Sequence, residues 1–198
     1  MAKRAERKAE TREKILAAAA ACFAEKGYAG CGVADIAARA ECSQGNLYVH
    51  FKNKEELFRT MIEDEHRQGV AKIARFLDSP PYLRGILDIL KDCIRDVGFP
   101  VDHRLWTEIL AVVARDASLR TAFLESDRAM RAAFVDLLTK AAQAGEIDAT
   151  LDFDSVSIWL YALVDGLIAR AADEEAFDFT KHLAVFETLV RRALRPQG

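Results

Sequence analysis

Val33-Ala34-Asp35-Ile36-Ala37-Ala38-Arg39-Ala40-Glu41-Cys42-Ser43-Gln44-Gly45-Asn46-Leu47-Tyr48-Val49-His50-Phe51 is the stretch whose reading decides the fold. Val33, Ile36, Ala37 and Ala40 recur at i, i+3, i+4 and i+7, one apolar stripe on a two-turn helix. Glu41 and Cys42 make a turn, Ser43 is a good N-cap, and Leu47 and Phe51 are the inward residues of a second short helix ending near His50. Two helices this short bury little as a free pair. A longer helix must brace them, and upstream Ile15, Ala19, Cys22 and Phe23 supply one, running from about Thr11 to Gly27. A long helix, a short helix, a tight turn and another short helix match helix-turn-helix geometry.

Downstream, Asn53 caps a long helix through about Asp78, broken by Pro80-Pro81. Further helices read as 82–97, 101–115, 118–144, 152–172 and 178–194. With 10 Gly and 4 Pro in 198 residues and few β-branched runs, local preference favours helix throughout. The expectation is an all-α chain of about nine helices: a three-helix head at 1–54 and a helical body at 55–198. There is no internal repeat and no low-complexity linker.

Charge is divided along the chain. Residues 1–54 hold ten basic and six acidic side chains, net +4, so the remainder carries −7 of the formal −3. A basic head on an acidic body suits a head that meets a polyanion. A recognition helix needs small or polar side chains at its exposed N-terminal end, because base edges lie deep in the major groove. Ser43, Gln44, Gly45 and Asn46 supply that end: two amides to pair with base edges, and a glycine that lets the backbone come close. Tyr48, His50, Lys52 and Lys54 are suited to phosphate oxygens, as are the free amides of the helix that Asn53 caps.

Ile15-Leu16, Phe23-Ala24-Glu25-Lys26-Gly27-Tyr28, Val33-Ala34-Asp35-Ile36-Ala37 and Ser43 through Leu57 together resemble the head of the tetracycline-repressor (TetR) family. The resemblance covers about a quarter of the chain and departs from the family at two places. Cys31-Gly32 stand where a capping Thr or Ser is usual, and Glu41 replaces the usual glycine of the turn, which strains it if φ is positive.

The resemblance implies a ligand-responsive transcriptional repressor that binds a palindromic double-stranded DNA operator as a homodimer. The terminal helices would pair with a second copy in a four-helix bundle through Trp159, Leu163, Gly166, Leu167, Phe179, Leu183, Phe186 and Val190. A small, partly hydrophobic effector would sit among Trp106, His103, His66, Phe99, Phe123, Met130 and Phe134. It would release the dimer by preferring the conformation with badly spaced heads.

Other readings find less support. Glu63-x-x-His66 has di-iron bundle spacing, but no second ExxH exists, and HExxH, GxSxG and phosphate-loop motifs are absent, so no catalytic residue, metal site or cofactor is expected. A helical dimer whose head does not bind DNA specifically remains an alternative. Cys22, Cys31, Cys42 and Cys93 form no CxxC pair and read as reduced thiols of a cytoplasmic protein. The basic residues before Ile15 imitate an export signal, but Glu6, Glu10 and Glu13 interrupt them. No apolar run approaches bilayer length, so no membrane partner is expected.

Overall fold

The computed structural model describes the backbone of residues 2–98 and 100–196 and the side chains of 6–98 and 100–196. Among the described residues the chain is all-α: α1 (Ala2–Gly30), α2 (Val33–Arg39), α3 (Gln44–His50), α4 (Lys54–Ala74), α5 (Tyr82–Arg95), α6 (His103–Arg115), α7 (Ala117–Gln143), α8 (Phe153–Asp173) and α9 (Phe179–Ala193). The expected helices are all present. α1 begins some nine residues before the expected start near Thr11, carried by a charged stretch of good helix formers. α4 stops at Ala74, because residues 75–79 tighten into turns before Pro80.

The chain forms two compact units, Met1–Glu65 with Gly98–Phe123, and His66–Val97 with Leu124–Gly198. The boundary expected after residue 54 falls inside unit 1. The first turns of α4 bury Leu57, Phe58, Met61 and Ile62, and α6 packs on α1.

Unit 1 is built on α1. Ile15, Ala19, Cys22 and Phe23 are buried along it, joined by Ile36 and Ala37 of α2, Leu47 of α3, and Leu105 and Ile109 of α6. Each large side chain fully buried contributes about 1.5–3 kcal/mol. Phe23, Tyr28 and Phe58 form an aromatic triangle with ring centres 4.7 to 5.5 Å apart. Gly27 interrupts α1 at φ 71°, a conformation glycine adopts without a Cβ penalty. The kink turns the Tyr28 N–H outward, where it donates to Glu108 Oε1 of α6 at 2.6 Å.

The expectation of four thiols is corrected here. Cys22 and Cys31 form a disulfide across a Cα separation of 5.9 Å, while Cys42 and Cys93 are outside any disulfide. The chain turns back after Gly27 and sets Cys31 beside the core face of α1, a proximity that sequence spacing does not reveal.

In unit 2, α5 packs on α8 and α9. Ile86, Leu90 and Ile94 of α5, Leu160, Val164 and Ile168 of α8, Leu183, Phe186 and Val190 of α9, and Phe134 and Leu138 of α7 are among the buried side chains of this unit. Lys140 Nζ donates to the Leu77 carbonyl at 2.5 Å, and the Leu83 N–H donates to Glu146 Oε2 at 2.6 Å, closing the ends of the loop between α4 and α5.

Two expectations change in this unit. Leu183, Phe186 and Val190, read as interface residues, are 5%, 5% and 0% exposed within the single chain and belong to its core. The apolar face that α8 and α9 leave open carries Ile158, Trp159, Val185 and Leu189 instead. α8 also exceeds the expected length of apolar runs: by length and composition Phe153–Asp173 could cross a bilayer, with a mean hydropathy of 1.3. Most of its apolar stretch is not buried in the chain.

Candidate nucleic-acid interface

α2 starts at Gly32, which has no side chain to cap the helix. Asp35 supplies only the reciprocal bond of a capping box, its Oδ2 accepting from the Gly32 N–H at 2.9 Å while its Oδ1 takes Lys26 Nζ at 2.8 Å. These bonds, Lys26 first, hold the Asp35 carboxyl below its ordinary pKa. Arg39 reaches back to both oxygens of Glu25 at 2.7 and 2.8 Å, a second surface tie between α2 and α1.

The turn to α3 has the conformation that its sequence disfavours. Glu41 sits at φ 52°, in the left-handed region. There the Cys42 N–H donates to the Ala37 carbonyl at 3.0 Å and the Glu41 N–H to the Ala38 carbonyl at 3.2 Å, satisfying the end of α2. Ser43 then caps α3, its Oγ accepting from the Asn46 N–H at 3.1 Å. Leu47, fully buried, pins α3 to the core and fixes which face points out.

That outward face holds most of the expected set. Ser43, Gln44, Gly45 and Asn46 are exposed together over the first turn, and Tyr48 is half exposed. A Cβ at Gly45 would meet nothing closer than Ser43 Oγ at 3.9 Å, so the chain leaves open space above this turn. Lys52 is exposed. His50 is half-buried, with burial first and then the charges of Lys8 and Arg12 lowering its pKa, so α1 brings two cations to the same edge. Arg12 also lies over the Phe51 ring at 5.1 Å.

Lys54 departs from expectation. Its ammonium donates to the Tyr28 carbonyl at 2.7 Å and the Cys31 carbonyl at 3.1 Å and lies over the Tyr28 ring, 4.4 Å from its centre. It closes the end of α1 rather than facing outward. The start of α4 is occupied too: Asn53 Oδ1 accepts from the Glu56 N–H at 2.8 Å, and Glu56 Oε2 takes the Lys52 N–H at 2.5 Å.

Sequence reading passed over Val49, 67% exposed beside Tyr48, as well as Lys8 and Arg12. An apolar side chain on a reading helix suits a thymine methyl. Its position two residues from the inward Leu47 was the available signal. Thr11, Lys14, Arg39 and Asn46 line one open groove of about 490 Å³ between α1 and the helix-turn-helix.

The expected effector residues divide between the units, and Phe99 lies outside the described residues. In unit 1, His103 opens α6 and Trp106 is buried one turn on, its ring 6.3 Å from that of Phe123. In unit 2, α7 presents Ser126, Met130 and Phe134 along one face. Ser126 Oγ is 2.6 Å from His66 Nδ1, and burial depresses the His66 pKa to about 4. Met130 packs so closely on Gly69 that a Cβ there would lie 2.6 Å from its Sδ. The Phe134 ring lies tilted 5.4 Å from that of Tyr161, whose hydroxyl is buried and whose pKa is raised by that burial and by Asp127. Ser126, Asp127 and Tyr161 were not anticipated. No group of three or more His, Cys, Asp or Glu side chains able to hold a metal occurs among the described residues.

Of the expected interface residues not in the core, Trp159 and Gly166 are exposed, Leu163, Leu167 and Phe179 are half-buried, and a Cβ at Gly166 would meet nothing within 4 Å.

Comparison with known proteins agrees with this geometry. Residues 15–61 match the model for bacterial regulatory proteins of the tetR family, and residues 87–195 match the C-terminal domain of BetI-type transcriptional repressors. The transcriptional repressor AcnR of Corynebacterium diphtheriae is 28% identical over 165 residues, covering 81% of this chain and 80% of its own. The regulator TtgR of Pseudomonas putida is 27% identical over 170 residues, covering 81% and 80%. Among solved structures, the regulator FadR of Bacillus subtilis in complex with stearoyl-CoA superposes with a TM-score of 0.77 at 20% identity, covering 92% of this chain and 98% of that one. The chain therefore belongs to the TetR family, and is a transcriptional repressor of that type with a DNA-binding helix-turn-helix, not an enzyme.

Proposed function

We propose that the protein binds a palindromic operator as a homodimer and is released from it by a small, partly hydrophobic effector. By function, residues 1–54 are the DNA-binding part and 55–198 the effector and dimerisation part. The observation that carries the reading is the first turn of α3, where Gln44 and Asn46 stand exposed above a Ser43 cap and a buried Leu47. Amides so placed pair with adenine edges, while Tyr48, His50 and Lys52 take phosphates. Dimerisation is supported by the open face of α8 and α9, since a dimer spaces two recognition helices one turn of DNA apart. A role on DNA puts the protein in the cytoplasm.

The effector reading is supported by two apolar clusters with few polar groups, Trp106 with Phe123 and His103 in unit 1, and Phe134 with His66 and Met130 in unit 2. The stearoyl-CoA bound by the Bacillus subtilis fold neighbour, an apolar chain on a polar head, is a ligand of the same general kind.

The test is a titration of the full chain against a fragment spanning its own promoter at moderate salt. Specific binding exceeds nonspecific binding by roughly 10³-fold or more in such systems. Affinity equal to that for an unrelated fragment would sink the operator reading and leave a helical dimer that acts through other partners.

A further inference from the structure

We propose that Cys22 and Cys31 are a redox-reversible pair through which peroxide strengthens the protein's hold on DNA. Cys22 lies on the core face of α1, and Cys31 occupies the junction between the end of α1 and Gly32, the N-cap of α2. Cys31 is also where other links to the helix-turn-helix meet. Its N–H donates to the Gly27 carbonyl at 3.2 Å, its carbonyl accepts from Lys54 at 3.1 Å, and the next N–H is held by Asp35. The sulfur bond therefore ties α1 directly to the starts of α2 and α4.

Beside the apolar packing of Ile36 and Ala37 on α1, the polar ties from α2 to α1, Lys26 to Asp35 and Arg39 to Glu25, are exposed ion pairs and individually weak. Two thiols need van der Waals separation where a disulfide needs a bond, so reduction moves the Cys31 segment away from α1. The carbonyl that holds Lys54 and the cap of α2 shift with it. A head ordered before it meets DNA loses less freedom on binding, so the bonded form holds DNA more tightly.

The oxidant is a two-electron peroxide; Cys22 and Cys31 are 3% and 0% exposed, so both oxidant and reductant reach them when the junction after α1 opens locally. One thiolate attacks the peroxide O–O bond, forming a sulfenic acid and releasing one water. The second sulfur attacks the sulfenic sulfur, forming the S–S bond and releasing a second water. Two thiols and one hydrogen peroxide thus give one disulfide and two waters. A dithiol reductant reverses it, leaving as its own disulfide.

The proposal uses the operator reading for its affinity readout. The experiment takes the full chain with Cys42→Ser and Cys93→Ser, treated with hydrogen peroxide or dithiothreitol, and measures intact mass and affinity for the promoter fragment. Peroxide is expected to remove two hydrogens from the mass, and reduction to weaken DNA binding about five- to tenfold. Cys22→Ser in the same background should keep the weaker value under both treatments. If that background fails to fold, the wild-type chain with its disulfide mapped by alkylation and peptide mass answers the same question. An unchanged mass, or equal or tighter binding after reduction, overturns the switch alone. A fragment bound in neither state overturns the switch and the operator reading together.

Discussion

The ammonium of Lys54 sits 2.7 Å from the carbonyl oxygen of Tyr28 and 4.4 Å from the centre of the same residue's ring. The first residue of α4 thereby closes the end of α1, next to the Gly27 kink. Lys54→Ala removes a charged hydrogen bond and a cation–π contact and is expected to cost about 1–2 kcal/mol of stability, discounted for partial exposure. Denaturant unfolding measures this. Because the ammonium faces inward, the salt dependence of DNA binding should hardly change, whereas Lys52→Ala should flatten the slope by about one. A slope flattened equally by both variants would assign Lys54 to a phosphate after all.

Glu41 holds a left-handed conformation at φ 52° that a Cβ disfavours. Its side chain is exposed, so replacement loses little packing. Glu41→Gly is expected to raise the unfolding free energy by about 0.5–1 kcal/mol, with DNA affinity unchanged because the hydrogen bonds of the turn are all from backbone groups. A destabilised Glu41→Gly would show that the carboxylate makes a contribution in solution larger than the backbone strain.

The helices were legible because their punctuation is local. Ser43 and Asn53 mark starts by their side-chain caps, Pro80-Pro81 and Gly98 mark ends by their backbone chemistry, and the buried stripes of α1, α2 and α3 follow from spacing alone. The exposed face Ser43 to Asn46 followed from Leu47 pointing inward. What was not legible depends on the chain returning on itself. The direction of Lys54 is set by a kink twenty-seven residues upstream, and the pairing of Cys22 with Cys31 by the same kink. On α9, periodicity identifies Leu183, Phe186 and Val190 as apolar but does not say whether their cover comes from α5 of the same chain or from a second copy.

His66 makes stability depend on pH. Its folded pKa is depressed to about 4 by burial against an ordinary 6.5. Below about pH 6.5 the unfolded chain takes up a proton that the folded chain refuses until pH approaches 4. The stabilising preference is therefore present in full above 6.5 and lost as pH falls through that window. The loss amounts to about 3 kcal/mol between pH 7 and pH 4. Urea unfolding at pH 7.0, 5.5 and 4.5 measures it, and His66→Gln, which keeps an amide for Ser126 without titrating, should show a flatter profile. Parallel profiles for the two proteins would place the pH dependence elsewhere.

Asn46 lies on the exposed turn of α3, its side chain free of any role in the Ser43 cap, which uses only its backbone N–H. Asn46→Ala should therefore leave stability nearly unchanged while reducing discrimination at particular base pairs by about 1–3 kcal/mol. Affinities for a set of single-base operator variants read this directly. A uniform loss across all of them would make Asn46 a phosphate contact and move base reading to Gln44 or Val49.

Trp159 and Phe186 separate association from folding. Trp159 is 42% exposed on the open face of α8, with Ile158 beside it and Val185 and Leu189 open on α9, whereas Phe186 is 5% exposed in the core. In a chain that dimerises through this face, Trp159→Glu places a charge in an apolar contact and should yield a folded monomer, with near-native helicity and about half the native mass by sedimentation. Such a monomer carries one recognition helix and should lose most of its affinity for a two-half-site operator. Phe186→Ala should act the other way, costing about 3–5 kcal/mol of unfolding free energy through the cavity it leaves, whatever the oligomeric state. A Trp159→Glu protein that remains dimeric would show that a second copy docks elsewhere and that the open face of α8 has another occupant.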